Sequence, residues 1–277
     1  MTKPQLFKKL VQEKKSLLTP VAHDPLTAKI AEKLGFEAVS MGGFAVSGVV
    51  YGLPDMGLIG LSEMVQALTN ITRSTNLPVF ADADGGYGNE RNVAFTVREY
   101  ERAGVASLFI EDQKHPKKCG HTSNKELVTV EEMVSKIKAA VGARGDPDLL
   151  ICARTDAIAP EGFESAIVRA REYVKAGADI IFVEAPEDLD QLIAIPKLIT
   201  EVPLLVNMLE GGKTPICSQG DLEQMGYKII AYPISTLMAS VKAVEEVLSV
   251  LKNQGDSRTF TNKLMNFSDY KNLVGLS

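Results

Sequence analysis

Lys175-Ala176-Gly177-Ala178-Asp179-Ile180-Ile181 decides the fold, because the same junction recurs along the chain. Its counterparts are Lys33-Leu34-Gly35-Phe36-Glu37-Ala38-Val39, Arg102-Ala103-Gly104-Val105-Ala106-Ser107-Leu108 and Gln224-Met225-Gly226-Tyr227-Lys228-Ile229-Ile230. Each reads as an amphipathic helix closed by a glycine, which adopts the left-handed conformation without a Cβ penalty, and an apolar strand follows. Further apolar runs, Leu17 to Val21, Val79 to Ala83, Leu149 to Ala153 and Pro203 to Val206, bring the expected strands to eight. Helical patterns fill 25–35, 61–75, 90–103, 130–142, 163–176, 188–199, 219–225 and 234–252. Short, continuous apolar strands alternating with helices belong to a parallel sheet. Eight such units in about 250 residues fit a closed (β/α)8 barrel of the TIM type. A doubly wound open sheet is the alternative, but no G-x-G-x-x-G follows the first strand.

With 277 residues, 45% hydrophobic and 23% charged, the composition is that of an ordinary globular protein, expected as one barrel domain over 1–277. A tail from about 254 to 277 turns apolar at Met265, Phe267, Tyr270, Leu273 and Val274, and is expected to dock on a surface or a neighbouring subunit. The net charge of −5, without a Lys/Arg-rich tail, argues against a nucleic-acid partner. No apolar run approaches the roughly 20 residues of a membrane span, and the polar start Met1-Thr2-Lys3-Pro4-Gln5 does not read as a signal peptide, so the cytoplasm is expected. Cys119, Cys152 and Cys217 are widely spaced, which suggests neither a disulfide framework nor a zinc knuckle. Cys152 reads as a buried core thiol and Cys217 as structural.

In such a barrel the catalytic groups sit at the C-terminal ends of the strands. Those ends are polar here: Ala81-Asp82-Ala83-Asp84-Gly85-Gly86, Ile110-Glu111-Asp112-Gln113, Ala153-Arg154-Thr155-Asp156, Val183-Glu184 and Asn207 to Lys213. Asp82 and Asp84 share a strand face and Glu111 ends the neighbouring strand, so their repulsion calls for a cation. Hard oxygen donors favour Mg²⁺, or Mn²⁺, over zinc. The competing reading makes these carboxylates helix caps or partners of Arg154. Gly42-Gly43 and Gly85-Gly86 read as close backbone approaches to a ligand carboxylate or as tight turns. Arg154 reads as a bidentate carboxylate fork or an internal ion-pair partner. Between strand four and a helix opened by Thr129-Val130-Glu131-Glu132 lies a long loop, about 113–128, of a length more often seen in lids than in plain connections. It carries Lys117-Lys118-Cys119-Gly120-His121, which reads either as cations that could lower the thiol pKa of Cys119 or as a solvated basic loop with an incidental cysteine.

Those loop and strand-end motifs, with Asp82-Ala83-Asp84-Gly85-Gly86-Tyr87-Gly88-Asn89, Ala153 to Ala157 and Asn207 to Pro215, resemble the isocitrate lyase and phosphoenolpyruvate mutase superfamily over nearly the whole chain. The resemblance implies that Asp82 and Asp84 hold Mg²⁺, with Glu111 and Asp55 nearby. It further implies that Gly43 and Phe44, beside Gly42, offer amides to an α-keto acid carboxylate, and that Arg154, Glu184, Asn207 and the lid's Gly120 meet the substrate. Cys119 would protonate the carbanion left by C–C cleavage, while Lys117 and His121 hold the lid. The family also implies exchange of the eighth helix between subunits, giving dimers that pair into homotetramers.

The segments Asn207 to Pro215, Pro116 to Lys118 and Tyr270 to Leu276 most resemble the branch of 2,3-dimethylmalate lyase, petal death protein, oxaloacetate hydrolases and sequences named carboxyvinyl-carboxyphosphonate phosphorylmutase. Met238 stands where methylisocitrate lyases carry an arginine for the third carboxylate, and Ser40 where they carry tyrosine. A dicarboxylic 2-alkylmalate is therefore expected, ahead of the tricarboxylate methylisocitrate, as the small-molecule partner. The expected activity is Mg²⁺-dependent cleavage of a 2-hydroxy diacid into an α-keto acid and a monocarboxylate. The alternatives are a methylisocitrate lyase, oxaloacetate hydrolysis, a phosphonomutase reaction, or a non-catalytic scaffold.

Overall fold

The computed structural model describes residues 1–122 and 124–276. The chain runs α1 (Lys3–Glu13), β1 (Leu17–Pro20), α2 (Pro25–Lys33), β2 (Val39–Met41), α3 (Gly43–Tyr51), α4 (Leu61–Ser74), β3 (Val79–Asp82), α5 (Glu90–Arg102), β4 (Ser107–Glu111) and α6 (Val130–Ala143). It continues through β5 (Leu150–Thr155), α7 (Ile158–Glu161), α8 (Phe163–Lys175), β6 (Ile180–Val183), α9 (Leu189–Leu198), β7 (Leu204–Asn207), α10 (Gln219–Met225), β8 (Ile229–Tyr232), α11 (Ser235–Gln254) and α12 (Phe267–Val274). The eight expected strands and the helices between them are all present, their ends within about two residues of the sequence reading. Gly35, Gly104, Gly177 and Gly226 have φ between 84° and 113°, the left-handed turn that each repeated junction requires. Thr129 caps α6 by accepting from the Glu132 amide.

The strands pair in parallel in the order β1-β8-β7-β6-β5-β4-β3-β2. The barrel closes at the β1–β2 seam, where Val21 bridges Ser40 and the Ala22 amide donates to the Ser40 carbonyl at 2.8 Å. Alternation then sorts the side chains. Leu108 and Ile110 face the helical layer, whereas Phe80, Phe109, Cys152, Phe182 and Leu205 fill the barrel interior. Cys152 is thus the buried core thiol expected of it, on the same face as Arg154.

The polar N-terminal stretch, which was not expected to form a core element, is α1. Thr2 and Gln5 form a reciprocal capping box, and Phe7 and Val11, four apart, enter the barrel interior. The Phe7 ring stacks 6.0 Å from Phe80, which continues to Phe109 and Phe182 at 5.7 and 5.9 Å. This aromatic column fills the barrel beneath the polar strand ends and gives them a rigid, dry floor. Helix α3 was also not foreseen: Gly42 caps it and Gly52 ends it at φ 64°.

Candidate active site

One strand period above the aromatic column, the inward positions become Asp82, Glu111, Arg154, Glu184 and Asn207, all lining one pocket with Cys119, Gly120 and His121 of the loop. The pocket is also lined by Ser40, Gly42, Phe44, Asp55, Lys117 and Lys118, with Val21, Leu205, Leu209, Ala231, Pro233 and Ile234 forming an apolar arc. The alternation of five separate strands is therefore what assembles the site. Gly43 and Asp84 stand just behind this rim. The Gly43 amide donates to Asp82 Oδ2 at 2.9 Å and the Asp84 amide to Asp82 Oδ1 at 2.9 Å.

Arg154 is the centre of the charge arrangement. Its Nε and Nη2 donate to Asp156 at 2.9 and 3.0 Å, with Glu111 Oε2 at 3.4 Å and Glu184 Oε1 at 3.3 Å. The guanidinium carbon lies 5.0 Å from the Phe182 centroid and 5.6 Å from that of Phe109. Arg154 is the internal ion-pair partner of one sequence reading, and it also lines the pocket. Burial pushes the Glu184 carboxyl up, but Arg154 and His121 outweigh it and hold the group below its ordinary value. Glu111 goes the other way, with burial raising it well above the ordinary value against the pull of Arg154. Its Oε1 is buried and has no hydrogen-bond partner among the described residues.

Lys117 and Lys118, adjacent in sequence, point apart. Lys117 drops into the mouth, its Nζ 2.5 Å from Asp55 Oδ1 and 2.8 Å from Asp84 Oδ1. Lys118 Nζ donates to the Asn124 carbonyl at 2.7 Å, and its backbone is clamped by Gln113 at 2.8 and 3.0 Å. His121 Nδ1 accepts from the Lys213 amide at 3.0 Å, which leaves the ring proton on Nε2, 3.4 Å from Glu184 Oε1. Activation of Cys119 by these cations, one of the two readings of the loop taken alone, is not what this geometry gives. Burial raises the thiol above its ordinary value, a backbone hydrogen bond from His121 offsets this in part, and Asp55 raises it further. Cys119 is a protonated thiol near neutral pH, suited to give a proton rather than to attack.

Asp82, Asp84, Glu111 and Asp55 approach one another without forming, among the described residues, a compact group of three metal-ligating side chains. Burial, opposed by Lys117, raises Asp84 to about 6. The donor set fits Mg²⁺ nonetheless, because that ion keeps several waters and needs only one or two direct carboxylates. The unpartnered Glu111 oxygen and the excess of carboxylates over cations point the same way.

Sequence reasoning missed the supports behind this site. Asp112 accepts from Thr155 Oγ1 at 2.7 Å, the Asp156 amide at 2.9 Å and Tyr173 Oη at 2.7 Å, and so fixes the strand end that carries Arg154. Only its place beside Glu111 could have signalled it. Ser40, noted only as a departure, has a buried Oγ with no partner among the described residues. Met238 is half exposed on α11 and lies outside the pocket lining.

The family model for phosphoenolpyruvate phosphomutase matches residues 7–252. The chain belongs to the phosphoenolpyruvate phosphomutase family. Within this family it is 44% identical over 270 residues to 2,3-dimethylmalate lyase of Eubacterium barkeri, a match spanning 98% of this chain and 93% of that protein. It is likewise 44% identical over 270 residues to 2-methylisocitrate lyase of Aeropyrum pernix, spanning 98% of this chain and 86% of the other. A solved phosphonopyruvate hydrolase, in complex with oxalate and Mg²⁺, superposes with a TM-score of 0.90 at 32% identity, covering 99% of this chain and 95% of that one. The family and barrel expectations are borne out, and the lyase expectation stands with the first two relatives.

Proposed function

We propose that this chain is a Mg²⁺-dependent carbon–carbon lyase that splits a 2-alkylmalate-type dicarboxylic acid into an α-keto acid, such as pyruvate, and a monocarboxylate. The observation that carries the reading is the place of Cys119, on the loop that lines one pocket with Arg154, Glu184 and the strand-end carboxylates, where burial raises its thiol above the ordinary value. In this reading Arg154 takes a substrate carboxylate as a planar fork, Phe44 offers its amide at the start of α3 beside a Gly43 amide already given to Asp82, and Asn207 orients Glu184 through a contact of 3.4 Å. Asp82 and Asp84, with Glu111, would hold Mg²⁺, which when bound supplies Lewis-acid polarisation of the 2-oxygen. As the 2-hydroxyl proton passes to an ionised carboxylate of the mouth and the C2–C3 bond breaks, the bond's electron pair passes to C3, where Cys119 delivers its proton; the thiolate left behind regains a proton from that carboxylate through solvent as the products leave. Lys117, ion-paired to Asp55 and Asp84, and His121, docked on Lys213, keep the loop down and water out.

The apolar arc of Val21, Leu205, Ala231, Pro233 and Ile234 matches alkyl substituents better than a third carboxylate. The equal identity to a 2-methylisocitrate lyase favours that second reading. We also take residues 1–277 as one domain whose helix α11 serves in assembly. Met238, Val241, Val244, Leu248 and Leu251 leave an exposed apolar stripe on it, consistent with helix exchange between subunits and a homotetramer. No helix among the described residues is long and apolar enough to cross a membrane, in keeping with a cytoplasmic enzyme. The test is incubation of the purified protein with Mg²⁺ and a panel of substituted malates, methylisocitrate and oxaloacetate, following α-keto acid release. Turnover of dimethylmalate-type acids is expected; turnover of methylisocitrate alone would overturn the substrate assignment.

A further inference from the structure

Lys125 is a buried cation that the proposed chemistry leaves unused. It sits at the far end of the Cys119 loop, its side chain 1% exposed, and its Nζ donates to Asp156 Oδ1 at 2.8 Å. The same ammonium donates to the carbonyl of Gly120, the residue next to Cys119. Asp156 is itself fully buried, and its Oδ1 also accepts from Arg154 Nη2, while Oδ2 accepts from Arg154 Nε. Its amide is fixed from below by Asp112 at 2.9 Å. One carboxylate therefore joins the substrate-facing guanidinium to an ammonium whose other partner is the loop's own backbone.

From this arrangement we propose that Lys125 is a positioning residue, a latch that couples seating of the Cys119 loop to the orientation of Arg154. When Gly120 is down, its carbonyl completes the Lys125 shell, and Gly120 also packs directly on Arg154 and Glu184, where even a methyl group would overlap them. When the loop lifts, the ammonium loses a buried acceptor and Asp156 is its remaining charged partner. A buried donor left without an acceptor is costly, so Lys125 draws the loop back. Arg154, held by the same Asp156, is in its substrate-binding pose when the loop is seated. The loop thus closes on the correct guanidinium geometry rather than independently of it.

This inference rests on the lyase reading for its kinetic consequence, but its structural half is tested separately. The chain contains no tryptophan, so Thr122→Trp, on the exposed part of the loop, supplies a single indole reporter. In this background, Mg²⁺ and oxalate are expected to shift the indole emission as the loop seats. Adding Lys125→Met is expected to cut that shift by more than half, while kcat falls about 100-fold and KM stays within about threefold. An unchanged emission shift overturns the latch, as does wild-type kcat. If circular dichroism shows that Lys125→Met does not fold, Lys125→Gln, which keeps N–H donors for both acceptors, is read instead. It is expected to lose about tenfold in kcat with a reduced emission shift, and wild-type values in both would equally overturn the latch. If the parent protein cleaves none of the malates, the lyase reading fails, whereas the emission response to Mg²⁺ and oxalate still decides the latch.

Discussion

Gly120→Ala is the sharpest test of whether the loop works in its seated position. A Cβ there would lie 2.2 Å from Arg154 Nη2 and 2.5 Å from Glu184 Oε1, where ordinary contact begins at 3.4 Å. Neither neighbour can retreat, because Arg154 is held by Asp156 at 2.9 and 3.0 Å and backed by the Phe182 and Phe109 rings. The loop must therefore lift by 3.4 minus 2.2, about 1.2 Å, carrying the Cys119 sulfur away from the reacting carbon. A misplacement of about 1 Å costs on the order of 10²-fold in rate, equivalent to about 2.7 kcal/mol of barrier. Gly120 does not occupy the left-handed region, so alanine adds no backbone strain of its own, and any fall in melting temperature reports the Lys125 contact weakened as the loop lifts. Initial rates of α-keto acid release, coupled to NADH oxidation by lactate dehydrogenase, measure the effect. The expected result is kcat down about 100-fold with KM within about threefold. A kcat within threefold of the parent would show that the seated loop is not the catalytic geometry.

Cys119→Ser replaces the thiol with a hydroxyl of far higher pKa, and is expected to reduce kcat by at least about 10³-fold while calorimetry shows Mg²⁺ and oxalate binding almost unchanged; lost oxalate binding would make the loop structural instead. Because burial raises the Cys119 thiol, iodoacetamide labelling at pH 7.5 should be slower than for free cysteine and its rise with pH should come later than that of free cysteine, whereas rapid, pH-independent labelling between pH 6 and 8 would indicate a thiolate. Asp84, raised to about 6, keeps its proton until the pH exceeds that value, and the protonated form cannot bind metal. Apparent Mg²⁺ affinity should therefore weaken by up to about tenfold per unit below pH 6 and level off above it, and a flat profile from pH 5 to 7 would remove Asp84 from the metal site. In the metal-free protein the same raised value acts in the opposite sense on stability, because the folded state binds the proton more tightly than the unfolded chain. Stability from this group is complete below pH about 4 and declines as pH rises through 6, measurable as a falling melting temperature in EDTA.

The fold was legible because its junctions depend on single residues with a local physical requirement. Gly35, Gly104, Gly177 and Gly226 mark helix ends by a backbone angle that other residues resist, and the strands between them are continuous apolar runs. The inward rim was legible for a similar reason: strict alternation carries Asp82, Glu111, Arg154 and Glu184 from sequence to one barrel mouth. Helix α1 was harder to see, since its apolar positions, Phe7, Leu10 and Val11, are few among lysines, and it is the barrel that makes them a plug. The directions of the lysines beside Cys119 could not be read from their proximity along the chain. Lys117 and Lys118 are neighbours in sequence, yet one is committed to Asp55 and Asp84 inside and the other to Asn124 outside. The Asp112, Asp156 and Lys125 supports were invisible because their meaning lies in contacts between residues 31 to 61 positions apart.

The protons of the mouth explain why the acid resides on the loop and not at a strand end. Glu184 is held ionised by Arg154, and Asp156 is held well below the carboxylate range because Arg154 and Lys125 overcome its burial. Glu111 and Asp84 are raised and carry protons readily in the free protein. They are also the groups proposed to face Mg²⁺, and a divalent cation draws carboxylates into their ionised form. A strand-end acid at this mouth would thus lose its proton as the site is charged for reaction. The Cys119 thiol, raised by burial while Lys117 is committed to Asp55 and Asp84, retains its proton under the same conditions. In the proposed chemistry the loop that excludes water therefore also carries the proton donor, and the tight approach of Gly120 to Arg154 makes delivery of that proton depend on the loop being fully seated.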